Sequence, residues 1–146
     1  MIMRLKSFTL VGLQFLFIFL LISGVSFNGH SIPAYTLISL SVFLAGWAIF
    51  SMRKSKLRII PEPSRNATLI TDGPYQFIRH PMYTAVITGA AGLVLFHFTW
   101  VRLLILLSLI IVLIIKLLWE EKMLVKRFDS YQQYMKQTNR LIPFIF

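Results

Sequence analysis

Two short clusters carry the side chains that could do chemistry: Arg79-His80-Pro81-Met82-Tyr83, and the adjacent carboxylates Glu120-Glu121. Pro81 suits the first position of a helix, where its missing N–H would have had no partner. The N-terminus of such a helix, with Arg79 and His80 beside it, favours an anion such as a carboxylate. Glu120 and Glu121 favour an ammonium, and Tyr75 and Tyr83 offer aromatic faces to a ring or a cation. A zwitterion carrying an aromatic base matches that set. A metal centre does not, because His80 would have only the two glutamates as partners and no zinc-type ligand spacing is present. The chain has no cysteine and no Gly-x-Ser-x-Gly elbow, which excludes a thiolate nucleophile, a disulfide frame and the common serine-hydrolase arrangement.

The elements that must position these residues are membrane helices. The 146-residue chain is 57% hydrophobic with a mean hydropathy of +0.74, far too apolar for an ordinary soluble domain. Its net charge of +10 sits beside the apolar segments, as expected of cytoplasmic membrane flanks and not of a nucleic-acid binder. The expected fold is all-α and polytopic, a single domain of four transmembrane helices over about residues 8–25, 33–52, 82–98 and 101–118. A polar loop over 53–81 and a C-terminal amphipathic helix over 120–138 complete it. Pro61 and Pro63 keep the loop out of regular helix. Trp100 and Trp119 bracket the fourth span roughly 28 Å apart at about 1.5 Å per residue, the separation of two membrane interfaces.

Arg4, Lys6, the bases from Arg53 to Arg79, and Lys122, Lys126, Arg127, Lys136 and Arg140 all fall on one side of this four-span arrangement, with Arg102 on the other. Both termini and the two chemical clusters are therefore expected on the cytoplasmic side. In the third span Ala85/Gly89 and Thr88/Gly92 are each four residues apart, a spacing that lets a neighbouring helix approach closely. In the tail, Leu124, Phe128, Tyr131 and Met135 form an apolar stripe at helical spacing, which predicts a helix lying on the membrane surface or over the loop.

The segments Thr68-Leu69-Ile70-Thr71-Asp72-Gly73-Pro74-Tyr75, Arg79-His80-Pro81-Met82-Tyr83, Glu120-Glu121 and Arg140-Leu141-Ile142-Pro143 together resemble the isoprenylcysteine carboxyl methyltransferase-like and phospholipid methyltransferase-like integral membrane enzymes. The resemblance implies S-adenosyl-L-methionine as methyl donor, held by Thr68, Leu69, Ile70, Tyr75, His80, Pro81, Met82, Tyr83 and Glu120. It also implies a lipid or lipophilic acceptor entering between helices, with Lys116 and Glu121 on the substrate side; Lys116 stands where eukaryotic members carry an arginine. No residue is marked as a catalytic base, since methyl displacement needs alignment and exclusion of water more than proton removal. That favours a carboxylate acceptor, with the amine of an ethanolamine phospholipid as the alternative. A small four-helix transporter is the reading from another class. It would want an acid within the first three spans, and they contain none.

Overall fold

The computed structural model describes residues 2–23, 25, 31–53 and 69–143, with side chains from residue 8 onward. Most of the expected polar loop, Thr68 included, lies outside the described residues. Among the described residues five α-helices follow in order: α1 (Ile2–Ile22), α2 (Ile32–Met52), α3 (Pro81–Phe96), α4 (Trp100–Arg127) and α5 (Tyr131–Gln137), with a 3-10 turn at Gly73–Gln76 ahead of α3. The fold is all-helical, and α2 and α4 are long and apolar enough to cross a bilayer. Phe8–Ile22 of α1 and Pro81–Phe96 are apolar but shorter. Large apolar side chains such as Phe15, Phe19, Phe43, Phe50, Leu104 and Ile111 point outward, as lipid permits and water does not.

Two antiparallel pairs build the bundle. Along α2 and α3, the Tyr35 and Phe96 rings meet edge to face at 4.6 Å, and Ser41 Oγ donates to the Ala85 carbonyl at 2.7 Å. The small-residue face of α3 makes this approach possible. A Cβ on Gly92 would lie 2.8 Å from Ile38 Cγ1 and 3.1 Å from the Ala34 carbonyl oxygen, closer than carbon atoms pack. Gly92→Leu should therefore destabilise the protein by about 1–3 kcal/mol through forced separation of α2 and α3. Gly12→Leu, at a position with nothing within 4 Å, should have little effect. Thermal melts of both variants in detergent, followed by circular dichroism, check this contrast.

The α1–α4 pair is tied by polar contacts. Arg102 Nη1 donates to the Leu21 carbonyl at 3.1 Å and Nη2 to that of Ser23 at 2.8 Å, which satisfies carbonyls left open at the C-terminus of α1. Farther along, Lys116 Nζ donates to Gln14 Oε1 at 2.8 Å. Leu21, Ala90, Val94, Leu106, Leu109 and Leu113 form the core where α1, α3 and α4 converge.

The structure moves α1, expected over residues 8–25, to Ile2–Ile22, and it corrects a second element. The expected surface helix over 120–138 does not begin after Trp119: α4 continues unbroken for 28 residues to Arg127, and the chain turns extended at Phe128 before the 7-residue α5. At about 1.5 Å per residue, α4 is roughly 42 Å long against about 30 Å of bilayer hydrocarbon. Its last turns, carrying Glu120 and Glu121, therefore project beyond the apolar span.

Candidate active site

The site is assembled at the end of the bundle where α2 finishes, α3 starts and α4 projects. Gly73 opens the 3-10 turn with a φ of 63°, a left-handed conformation that favours glycine, and a Cβ there would collide with Ser51 Oγ on α2. The turn carries Tyr75 into a buried cluster with Ala48 and Ile70, flanked by Met52 and Met82. Three sequence-predicted candidates, Ile70, Tyr75 and Met82, thus share one apolar wall.

His80 caps α3 in a non-helical conformation, with buried Pro81 as the first helical residue. The His80 imidazole stacks on the Tyr83 ring at 5.3 Å and an interplanar angle of 6°. Tyr83 Oη donates to Glu120 Oε2 at 2.7 Å, and His80 Nδ1 lies 3.9 Å from the same oxygen. Lys116 Nζ sits 5.1 Å from the centre of the Tyr83 ring. Four more candidates, His80, Tyr83, Glu120 and Lys116, are therefore contiguous, although 40 residues separate His80 from Glu120. His80 Nε2 is buried without a hydrogen-bond partner, 3.6 Å from Glu121 Oε1. Leu69 is the candidate set apart from these: it lines an open cavity of about 410 Å³ between the turn and α5, with Thr71, Gln76, Gln133 and Tyr134 among its neighbours.

Glu121 is engaged within the protein. Arg79 Nε donates to its Oε1 at 2.7 Å, and Arg140 Nε to its Oε2 at 3.0 Å. Arg79 Nη1 also donates to the carbonyls of Met135, at 3.0 Å, and of Thr138. These bonds fasten the tail to the segment that carries His80. Main-chain bonds add to them, from Arg79 N to the Asn139 carbonyl at 2.8 Å and from His80 N to the Arg140 carbonyl at 3.0 Å, around a parallel bridge between Ile78 and Asn139. Tyr134 Oη donates to the Tyr75 carbonyl at 2.6 Å, and Thr84 Oγ1 to that of Leu141 at 2.7 Å. Sequence reading did not single out Arg140 or Thr138 for this role, because a base and a threonine in a polar tail carry no signal of where they fold back.

The electrostatics follow from this frame. Burial alone would push the Glu121 carboxyl up, but the adjacent His80 imidazole and the bonds from Arg79 and Arg140 outweigh it and hold the group down at about 2. Burial pushes the Tyr134 hydroxyl up to about 12, with Arg79 and Thr138 opposing, and raises Tyr75 further, helped by the charge of Glu120. Both tyrosines stay neutral and serve as hydrogen-bonding and aromatic groups.

A bundle with an apolar exterior and a compact His–Tyr–Glu cluster at one end defines a membrane protein with an enzyme-like polar site. The phospholipid methyltransferase family model matches residues 30–131, most of the chain, and the protein belongs to that family. It is a methyltransferase of the membrane. No curated protein matches the chain.

Proposed function

We propose that the protein transfers a methyl group from S-adenosyl-L-methionine to a lipophilic acceptor, in a four-span arrangement with the site and both termini on the cytoplasmic side. The observation that carries this reading is the stack of His80 on Tyr83, itself hydrogen-bonded to Glu120, with His80 Nε2 buried 3.6 Å from Glu121 Oε1. Glu121, anchored by Arg79 and Arg140, holds the imidazole from its Nε2 side, so the ring is oriented before a ligand arrives. The set fits the donor, a zwitterion with an adenine ring: Glu120 faces a cation, Tyr75 and Tyr83 present rings, and Ile70, Pro81 and Met82 form the apolar wall. When bound, S-adenosylmethionine supplies an electrophilic methyl on a sulfonium that departs as a neutral thioether. The residues of the chain hold, orient and keep water from the reacting groups, which is what such a displacement requires.

For the acceptor, a carboxylate is the leading assignment. Lys116 provides a cation beside Tyr83, and a carboxylate loses no proton on methylation. The amine of an ethanolamine phospholipid is favoured by the family description, and Glu120 would then face an ammonium. Membranes containing the protein, incubated with labelled methyl donor, should incorporate label into lipid. Release of that label by mild base as volatile methanol indicates an ester, label kept on a non-volatile headgroup indicates an amine, and no incorporation above control membranes refutes the reading.

A further inference from the structure

After α5 the chain leaves the helix at Thr138 in an extended conformation, so residues 138–143 have no helical ladder to satisfy their carbonyls. Four carbonyls in succession are satisfied by the start of α3 instead. Arg79 Nη1 donates to that of Thr138, Arg79 N to that of Asn139 at 2.8 Å, His80 N to that of Arg140 at 3.0 Å, and Thr84 Oγ1 to that of Leu141 at 2.7 Å. Non-helical backbone needs such pairing at membrane depth, where water cannot serve it. The depth follows from the helices. The bond from Tyr83 Oη to Glu120 Oε2 sets the first turn of α3 level with the point where α4 passes Trp119, the expected interfacial residue. With 16 residues, α3 is about 24 Å long against roughly 30 Å of hydrocarbon, and it has no turn to spare outside the apolar layer. Leu141, bonded to Thr84 in that first turn, is buried, and Ile142 beside it turns outward, 50% exposed. The sequence has the matching polarity: Lys136 and Arg140 precede Leu141-Ile142-Pro143-Phe144-Ile145-Phe146, which carries no charge and no polar side chain. A base followed by apolar residues suits a segment that keeps its charge among headgroups and its apolar side chains at the acyl boundary.

We infer that the strap of residues 138–143 is a membrane-contacting surface whose partner is the lipid leaflet at the site's end of the bundle, with Ile142 inserted at the acyl boundary and Arg140 at headgroup level. The strap is then held by the protein on one side and by the bilayer on the other. Lipid closes the flank of α3 next to His80, and the backbone bonds to Arg79, His80 and Thr84 keep the strap's own carbonyls paired where water is scarce. The contact needs neither methyl donor nor acceptor, and it stands whichever acceptor the site takes.

The chain has no cysteine, so single cysteine replacements can be labelled without background. The full chain bearing Ile142→Cys, labelled with a polarity-sensitive fluorophore, is reconstituted into phosphatidylcholine vesicles. Ile111→Cys, on the exposed face of α4, is the lipid reference, and Lys126→Cys, exposed beyond the apolar span, is the water reference. Phosphatidylcholine carrying a nitroxide near the headgroup should quench the label at position 142 more than the same lipid with the nitroxide at the chain end. That difference corresponds to a depth of about 5–10 Å into the headgroup and acyl boundary. Iodide in the buffer should quench it severalfold less than the label at 126. Pro143→Cys, at the exposed next residue, stands in should Ile142→Cys not fold. Iodide quenching equal to that at 126 would put the strap in water, and shielding from both quenchers would put it against protein. Either result overturns the inference.

Discussion

His80→Ala protein should bind S-adenosylhomocysteine about ten- to a hundredfold more weakly than the wild type while keeping its helical content. The imidazole is buried and stacked on Tyr83, with Nδ1 3.9 Å from Glu120 Oε2 and Nε2 3.6 Å from Glu121 Oε1, so a donor bound at this cluster meets the ring directly. A bond to a charged group contributes about 1.5–3 kcal/mol, which is that range of affinity. Truncation also removes the ring stacked on Tyr83 and with it the support for the Tyr83–Glu120 bond. Glu120→Ala should weaken binding to a similar degree with little loss of stability, because the Glu120 side chain is 26% exposed and is tied to the frame through a bond accepted from Tyr83. Calorimetric titration of the solubilised variants decides the matter: unchanged affinity in both would take these residues out of the donor site.

Glu121→Leu should behave in the opposite way, with its largest effect on stability. The carboxylate is 4% exposed and holds Arg79 and Arg140, so its removal strands a buried guanidinium. Breaking one side of such a pair costs about 3–5 kcal/mol. The tail should then detach from the segment bearing His80, and ligand binding should fall as a consequence of lost order. The same group predicts an acid limb. Its carboxyl is held at about 2 in the folded protein against an ordinary value of 4.5, so its stabilising contribution is complete above about pH 4.5. That contribution is lost as the pH falls from there toward 2. Glu121→Gln should flatten this limb in melting temperature measured against pH, whereas Glu120→Gln should leave it in place. An acid limb that persists in Glu121→Gln would show that other groups drive it.

Adjacent glutamates thus face different fates, and the difference marks how far the sequence reaches. The apolar runs themselves determined the helices, because burying backbone in lipid leaves helix as the available solution, and observed ends such as Ile32, Met52, Pro81 and Phe96 fall within two residues of those expected. Pro81 starts α3 because its ring and missing N–H suit that position alone in a helix. The small residues of α3 were legible as a packing face because their absence of bulk has one direct physical consequence, and α2 fills it. The composition of the site was legible too, since His80, Tyr83 and Glu120 are rare polar types at the edges of apolar spans.

Only the tertiary structure decided which of the many bases Glu121 would take, and that α4 would run on unbroken through both acids to Arg127. No glycine or proline interrupts residues 100–127, so local propensity offers no stop at Trp119; the end comes where packing of the tail demands it, at Phe128. The Gln14–Lys116 contact joins residues 102 positions apart, and no periodicity within one helix encodes a partner on another. Side-chain type and spacing are local properties of a chain, whereas pairing among several equivalent charges depends on distances that exist only once the helices have packed.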